Sequence, residues 1–452
     1  MYLCISAVFI VGCTQAQPMD QLLAINAKYA NPSAPSGKGV FTSEEEAFLD
    51  DLQKRSLQFF LDSADPVSGL MPDRAKADGS KSGEVASIAS VGFGLTALCI
   101  GDERGWISHD EAYGRCLKVL QFLWDKVEHH HGHFYHFLDM RTGKRAWKCE
   151  LSNIDTAILM AGALTARQHF PNTELAGLAT KLYERVDWNF LLAKDGTLCM
   201  GWRPEEGFIE SWWNNYDESP LLYLVALGSP THPLPPASWN AWKRERLLTY
   251  AGLTFLQCPP LFTHQFPHCW FDLRGQRDAT VDYFRNSQLA VLAQRAWCKD
   301  ELSKRFPEYG ENIWGISSSD TLHGYDGWGG PPEQGKIDGS VVPYAAAGCL
   351  PFQPRLCIDA LKALKQRAGE KGYVKFGFVD AFQPNGSWFN PDVIGIDVGP
   401  TIVMVENARS AFVWKTFMSA PEAQAGLKAA GFRPLVPEDM SDPATSILPA
   451  KP

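Results

Sequence analysis

The stretch Ser87-Ile88-Ala89-Ser90-Val91-Gly92-Phe93-Gly94-Leu95-Thr96-Ala97-Leu98-Cys99-Ile100 decides how the chain is read. It carries no charge, and its apolar and small side chains fall on every side of a helix, the pattern of a helix buried all round. Related segments begin near Ser152 (SNIDTAILMAGAL), Glu218 (ESPLLYLVALG), Asn286 (NSQLAVLAQRA), Ser340 (SVVPYAAAGCL) and Asp397 (DVGPTIVMVENARSAFVW), about 55 to 68 residues apart. Between them run amphipathic segments with apolar residues at three- and four-residue spacing, at 44–62, 109–127, 172–190, 236–252 and 353–369. Six buried helices alternating with surface helices predict an all-α fold of the (α/α)6 barrel type, a six-hairpin toroid. One surface helix, between 304 and 339, has no clear signal.

The connections are unequal. Links from buried to surface helices are short, as from Gly101 to Ser108 and from Phe170 to Asn172. The return links are long: 63–84, 128–151, 191–216, 253–283, 304–339 and 370–395. In an alternating barrel all the long links leave on one rim, and loops of that length within a compact domain are usually functional. Tryptophan, tyrosine, histidine and acidic residues concentrate in them, which neutral insertions would not require. We therefore expect one catalytic domain over 44–432 and a C-terminal tail over 433–452.

Composition narrows the function. Apolar residues make up 45% of the 452-residue chain and charged residues 21%, which fits a soluble globular protein and excludes wholesale disorder or a multi-span membrane protein. Fifteen Trp, 26 Phe and 13 Tyr exceed what a core alone requires, and aromatic faces left in water are surfaces on which sugar rings stack. A net charge of −9 argues against a nucleic-acid partner, whose phosphates are met by Lys and Arg. The first 13 residues are an apolar run too short to span a bilayer and end in Ile10-Val11-Gly12-Cys13, which looks like a lipobox. The expectation is a lipoprotein signal peptide over 1–13, lipidation at Cys13 and a flexible tether over 14–43. That would place the protein in a bacterial cell envelope, periplasmic or outer-membrane-anchored, meeting the membrane through its lipid alone. The remaining cysteines lack framework spacing and read as small core residues.

Cleaving a glycosidic bond takes a proton donor for the leaving oxygen and a second carboxylate that activates water or attacks the sugar. The candidates stand where the second and third long loops enter buried helices: Glu150 and Asp155 in Cys149-Glu150-Leu151-Ser152-Asn153-Ile154-Asp155, and Glu218 in Trp212-Trp213-Asn214-Asn215-Tyr216-Asp217-Glu218. Each has a competing structural role, since acidic residues at a helix start cap free amides and complement the dipole. The aromatic surround of Glu218 also raises a carboxyl pKa by desolvation, as a general acid needs. Elsewhere on the rim, Arg74, His136, Arg203 and Glu205 read as hydrogen-bonding partners of sugar, and Trp212, Trp213, Trp328 and Trp388 as stacking platforms. Tyr216 joins them, and His264, His268, Asp272, Arg274 and Asp282 form a further polar group.

Many spaced blocks resemble the glycoamylase-like domain and glycoside hydrolase family 144. They include Met71-Pro72-Asp73-Arg74, the run from Ser87 to Ala97, Glu103-Arg104-Gly105-Trp106 and Phe134-Tyr135-His136-Phe137-Leu138-Asp139-Met140. Further blocks are Gly201-Trp202 with Pro204-Glu205, the stretch from Ala226 to Pro233, Phe266 to Gly275, Asp282-Tyr283-Phe284 with Asn286-Ser287, and Gly329 to Pro332. Gly377 to Phe382, Gly395 to Asp397 and Glu406 to Arg409 complete the set, which spans nearly all of 44–432. The resemblance implies an (α/α)6 barrel and inverting endo-hydrolysis of β-1,2-glucan, with transglycosylation in related domains. It adds Asp139 to Glu150, Asp155 and Glu218 as residues in the matching acidic blocks.

Three other readings compete. A polysaccharide lyase on the same barrel would use Tyr216 or His268 as base and Arg74 or Arg274 against a uronate, although the acidic chain disfavours an anionic polymer. An exo-acting or transglycosylating β-1,2-glucan enzyme is a second, and a non-catalytic glycan-binding lipoprotein a third. No metal or other cofactor is expected: His129-His130-His131-Gly132-His133 invites a zinc reading, but no HExxH or CxxC accompanies it and Pro267 separates His264 from His268.

Overall fold

The computed structural model describes residue 37 and residues 39–436; Cys13 and most of the expected tether and tail lie outside the described residues. Thirteen helices carry the described fold. They are α1 (Ser43–Asp62), α2 (Ile88–Glu103), α3 (His109–Asp125), α4 (Asn153–His169), α5 (Glu174–Glu184), α6 (Ser219–Leu227) and α7 (Phe262–Trp270). The rest are α8 (Tyr283–Asp300), α9 (Pro343–Ala347), α10 (Pro354–Gly372), α11 (Gly395–Ser410), α12 (Phe412–Met418) and α13 (Pro421–Ala429). Local chemistry sets their starts. Thr42 and Glu45 form a reciprocal capping box on α1, and Ser87, Ser108, Ser152 and Thr173 cap α2, α3, α4 and α5 with their hydroxyls.

The apolar segments pack on one another in a circuit, α2 against α4, α4 against α6, α6 against α7, α7 against α11 and α11 back against α2, with α9 on α11. Amphipathic helices back it: α1 on α11 and α2, α3 on α2, α5 on α4, and α10 on α9. The α2–α4 contact is closest. A Cβ on Gly162 would lie 2.1 Å from the Gly92 carbonyl oxygen and one on Gly92 would lie 2.4 Å from that of Ile158, so the two backbones meet where side chains cannot fit.

Two expectations need correction. The segment 236–252 is not a helix: Pro236–Asn240 is a single 3-10 turn, and Leu247–Tyr250 pairs with Leu253–Leu256 as a hairpin. Ala251 and Gly252 turn that hairpin with φ of 49° and 78°, the left-handed pair that a two-residue turn demands. The helical spacing of Trp239 and Trp242 instead serves a cluster in which both rings lie near Tyr283 and the Arg244 guanidinium sits 3.4 Å over Trp242. The place behind α6 is taken by α13, from the far end of the chain. Second, 253–283 is not one long loop, because it contains α7. The circuit runs through α7, whereas α8, expected among the inner helices, is buried beneath the 247–256 hairpin and the turn Leu302–Lys304.

Short strands gather the long loops. Arg74–Lys76 pairs with Asp392–Ile394, and Val85–Ser87 with Phe137–Asp139. His129–His130, His133–Tyr135, Leu151–Ser152, Gly201–Arg203 and Gly207–Phe208 make one antiparallel sheet in that order. Residues 128–151 and 191–216 therefore share a face, as expected. Since strands at 85–87, 151–152 and 392–394 run directly into α2, α4 and α11, that face lies at the N-terminal ends of these helices.

Candidate active site

Glu218 occupies the N-cap position of α6 but makes no capping hydrogen bond. Asp217 does that work instead, accepting from the Ser219 amide at 2.7 Å and from the Ser219 hydroxyl. The half-buried Glu218 carboxyl is thus free of the structural duty that sequence position suggested. Burial, and after it the negative charges of Asp217 and Asp155, push its pKa well above the usual carboxylate range.

Asp155 and Glu150 are joined through His136. The His136 Nδ1 lies 2.9 Å from Glu150 Oε1, and its Nε2 lies 3.7 Å from Asp155 Oδ1. Burial opposes a charge on the imidazole, but Asp155 and Glu150 outweigh it and raise His136 to about 9. Glu150 responds in the opposite direction. Burial would raise it, yet the hydrogen bond and charge of His136, with Arg203 3.7 Å away, lower it to about 2. Asp155 is held up by burial, which outweighs His136 and the 2.5 Å hydrogen bond from the Ser152 hydroxyl. One imidazolium therefore sits between two carboxyls of different proton affinity, one of which, Asp155, is close enough for its charge to act on Glu218.

A second acidic group surrounds Arg74. Its Nη1 donates to Asp320 Oδ2 at 2.9 Å and its Nε to Asp73 at 3.1 Å. Asp380 accepts from the Asp320 amide at 2.8 Å, and Asn390 donates to both Asp320 and Asp380. Asp397, in the first turn of α11, is buried beside Asp380; burial and then the charges of Asp380 and Asp320 drive its pKa far upward. Burial raises Asp380 too, so the pair binds a proton between them more tightly than an isolated aspartate would. Asp380 and Asp397 were read from the sequence only as part of a resembling block. Asp397 had the same signal as Asp155, an acidic residue entering an apolar helix from a long loop.

Other expected residues have different situations. Trp212 is exposed and Trp388 half-buried, as stacking surfaces need. Trp328 and Trp213 are corrections: both are buried, their indole N–H groups donating to Ser319 and Asn153, so neither face is open to a sugar. Asp139 closes a turn, accepting from Thr142 and Arg141. Glu205 pairs with Arg145. Asp282 caps α8 through the Arg285 amide. Asp272 and Arg274 bind each other beyond the C-terminal end of α7, with the guanidinium 4.2 Å over Trp414 of α12, away from the N-terminal face. His264 contacts the Tyr216 hydroxyl at 2.9 Å and His268 the Ser287 hydroxyl at 3.2 Å; burial lowers both imidazoles to about 3, keeping them neutral.

The histidine run does not converge on one point. His130 stacks on Trp202, His131 on Phe190, and buried His133 contacts the Asp187 carbonyl. Among the described residues, Asp102, His109 and His169 form a group whose ligand atoms all lie within 4.8 Å of one another. It stands at the C-terminal ends of α2 and α4, the opposite end from Glu218.

Residues 210–421 match the Glycoamylase family model, described as "Putative glucoamylase". An exo β-1,2-glucooligosaccharide sophorohydrolase (non-reducing end) of Parabacteroides distasonis is 26% identical over 441 residues, an alignment covering 88% of this chain. This chain spans 60% of that relative's length. An endo-β-1,2-glucanase from Chitinophaga pinensis, solved with sophorotriose and glucose, superposes with a TM-score of 0.79 at 29% identity, covering 86% of this chain and 98% of its own. A β-1,2-glucanase structure from Parabacteroides distasonis gives a TM-score of 0.79 at 25% identity, over 86% of this chain and 60% of its own.

Proposed function

We propose, from the match of residues 210–421 to the glycoamylase family model and from the likeness to β-1,2-glucan hydrolases, that this chain is a glycoside hydrolase that cleaves β-1,2-glucan, acting within the chain and inverting the anomeric centre. The observation that carries the reading is Glu218: a carboxyl at a helix start, excused from capping and held toward its protonated form by burial and two acidic neighbours. That is the state from which a general acid donates to a leaving oxygen. The helix circuit, backed by α1, α3, α5, α8, α10 and α13, supports reading the fold as an (α/α)6 barrel with its loops gathered over one rim.

The proton acceptor needs a basicity that Glu150 lacks, because His136 and Arg203 hold its carboxylate at a pKa of about 2. The Asp380–Asp397 pair fits better. The Asp380 and Asp397 side chains interact directly with each other, and burial pushes both upward; two carboxyls sharing one proton leave one ionised group that can take a proton from water. In this scheme Glu218 protonates the glycosidic oxygen as the bond to the anomeric carbon breaks, and water attacks from the opposite side while the pair takes its proton. The His136 imidazolium fixes Glu150 and Asp155 and thereby the field in which Glu218 titrates.

The test is a panel of linear glucans differing in linkage, read by product size and by NMR of the first-formed anomer. Mixed-length products from β-1,2-glucan with inverted configuration are expected. Disaccharide release from one end would replace the endo assignment with an exo one, an ultraviolet-absorbing unsaturated product would indicate a lyase, and bound but intact polymer a glycan-binding protein. Glu218→Gln should lower kcat at least about a thousandfold with substrate binding retained; near-normal turnover would remove Glu218 from the mechanism.

A further inference from the structure

Trp147 is the most exposed aromatic residue among the described residues, with 68% of its surface open. It belongs to the loop between Phe137–Asp139 and Leu151–Ser152, which carries Glu150 at its end. Its backbone has φ of 51° and that of Lys148 52°, two consecutive non-glycine residues in the left-handed region, where side chains crowd the backbone.

Arg145 holds that conformation. Its Nη2 donates to the Lys148 carbonyl at 2.7 Å, its Nε to the Cys149 carbonyl, and its Nη1 to Glu205 on the neighbouring loop at 2.7 Å. The guanidinium also lies 5.0 Å from the Tyr135 ring. A loop relaxing freely would fold an indole inward against apolar surface. This one is bent and tied so that the indole stays in water.

What lies beside it gives the exposure a direction. The Trp147 ring is 5.1 Å from Phe137, and Phe137 stacks on His136 at 3.9 Å with an interplanar angle of 13°. His136 is the residue that joins Glu150 to Asp155. The rings thus step outward from the acidic cluster to the rim, a path along which a sugar chain seated at Glu218 would continue.

We propose that Trp147 is a sugar-stacking residue for a glucan unit remote from the bond being cleaved, and that the Arg145–Glu205 clamp presents it. The proposal rests on the reading of the protein as a glucan hydrolase and supplies a contact by which longer chains would bind more tightly than short ones. A glucose ring offers the apolar C–H face that an indole covers, and the contact contributes to binding without taking part in bond cleavage.

The experiment compares KM and kcat for linear β-1,2-gluco-oligosaccharides of increasing length in wild type, Trp147→Ala, Trp147→Phe and Arg145→Gln. Trp147→Ala should raise KM for long chains about five- to tenfold, far more than for the shortest cleaved substrate, with kcat on long chains changing less than about twofold. Trp147→Phe should recover most of the loss, and Arg145→Gln should shift KM in the same direction as Trp147→Ala. Trp124→Ala, at a surface tryptophan on α3, is the control. In the Glu218→Gln background, long glucan should perturb tryptophan fluorescence, and Trp147→Phe should diminish that response. A KM-against-length profile for Trp147→Ala matching wild type overturns the proposal while leaving the hydrolase reading intact. If wild type leaves β-1,2-glucan uncut, the hydrolase reading on that polymer fails. Retardation in gels containing each glucan of the linkage panel then decides the proposal: weaker retardation of Trp147→Ala upholds it, and migration equal to wild type in every gel overturns it.

Discussion

Replacing His136 with Gln tests the electrostatic core of the site. The imidazole moves from 6.5 to about 9 on folding, which at about 1.4 kcal/mol per pH unit corresponds to about 3 kcal/mol. Glu150 moves from 4.5 to about 2, but largely through the same contact, so the two are not added. Both side chains are mostly buried, 13% and 16% exposed, so solvent screening removes little. Because the folded-state value of His136 is raised, its contribution is fully present below pH 6.5 and is lost as pH rises through 9; Glu150, with a lowered value, contributes above 4.5 and loses its contribution as pH falls through 2. The contact is at full strength between pH 4.5 and 6.5. Urea unfolding at pH 5.5 should therefore show His136→Gln less stable than wild type by about 3 kcal/mol, with the gap closing toward pH 10. Glu150→Gln should cost less, since Asp155 remains beside the imidazole. A gap of the same size at both pH values would mean that His136 acts by shape, and would refute the charge argument.

Three further outcomes follow from named contacts. Asp217→Asn keeps a cap for α6 but removes a negative neighbour of Glu218, so the alkaline limb of the kcat profile should move to lower pH; an unmoved limb would dissociate Glu218 from it. Gly162→Ala inserts a methyl 2.1 Å from the Gly92 carbonyl oxygen and should destabilise the protein by about 3 kcal/mol or more in thermal or urea unfolding, whereas Gly177→Ala, at open space on α5, should be neutral or stabilising. Cys13→Ala should release the protein from membrane fractions if that cysteine is acylated, and unchanged partitioning would exclude lipid at this position.

The helices most legible in the sequence are those whose environment is uniform. A helix buried all round, such as α2 or α4, has little choice of side chain, and an amphipathic one such as α3 records its single wet face at every turn. The segment 236–252 misled because three- and four-residue spacing is also what two tryptophans need to clamp one arginine, and Ala251-Gly252 is an unusual way to write a two-residue turn. The helix α7 was hidden for a related reason. Nine residues with Pro267 inside, two neutral buried histidines and no charge resemble a polar loop until their partners, Tyr216 from before α6 and Ser287 from α8, are in view.

The same reasoning separates what could be read at the site from what could not. Glu218, Glu150 and Asp155 could be picked out because each lies where a long loop meets a buried helix, although much of what shifts them comes from elsewhere in the chain: His136 and Arg203 for Glu150, and Asp155 for Glu218. Asp397 carries the same signal as Asp155, but the sequence does not separate it from a first-turn aspartate serving the helix dipole. Its proton affinity is set by burial and then by Asp380 and Asp320, which reach it from two other loops. Trp328 and Trp147 show the complementary limit: both are tryptophans on long loops, yet one donates to Ser319 with its ring wholly buried and the other is held out in water by Arg145. Composition supplies the aromatic rings, while tertiary contacts determine which of them face solvent. A variant series that removed rim tryptophans in order of loop length alone would therefore affect stability at Trp328 and binding at Trp147, and the two effects should separate cleanly in Tm and KM.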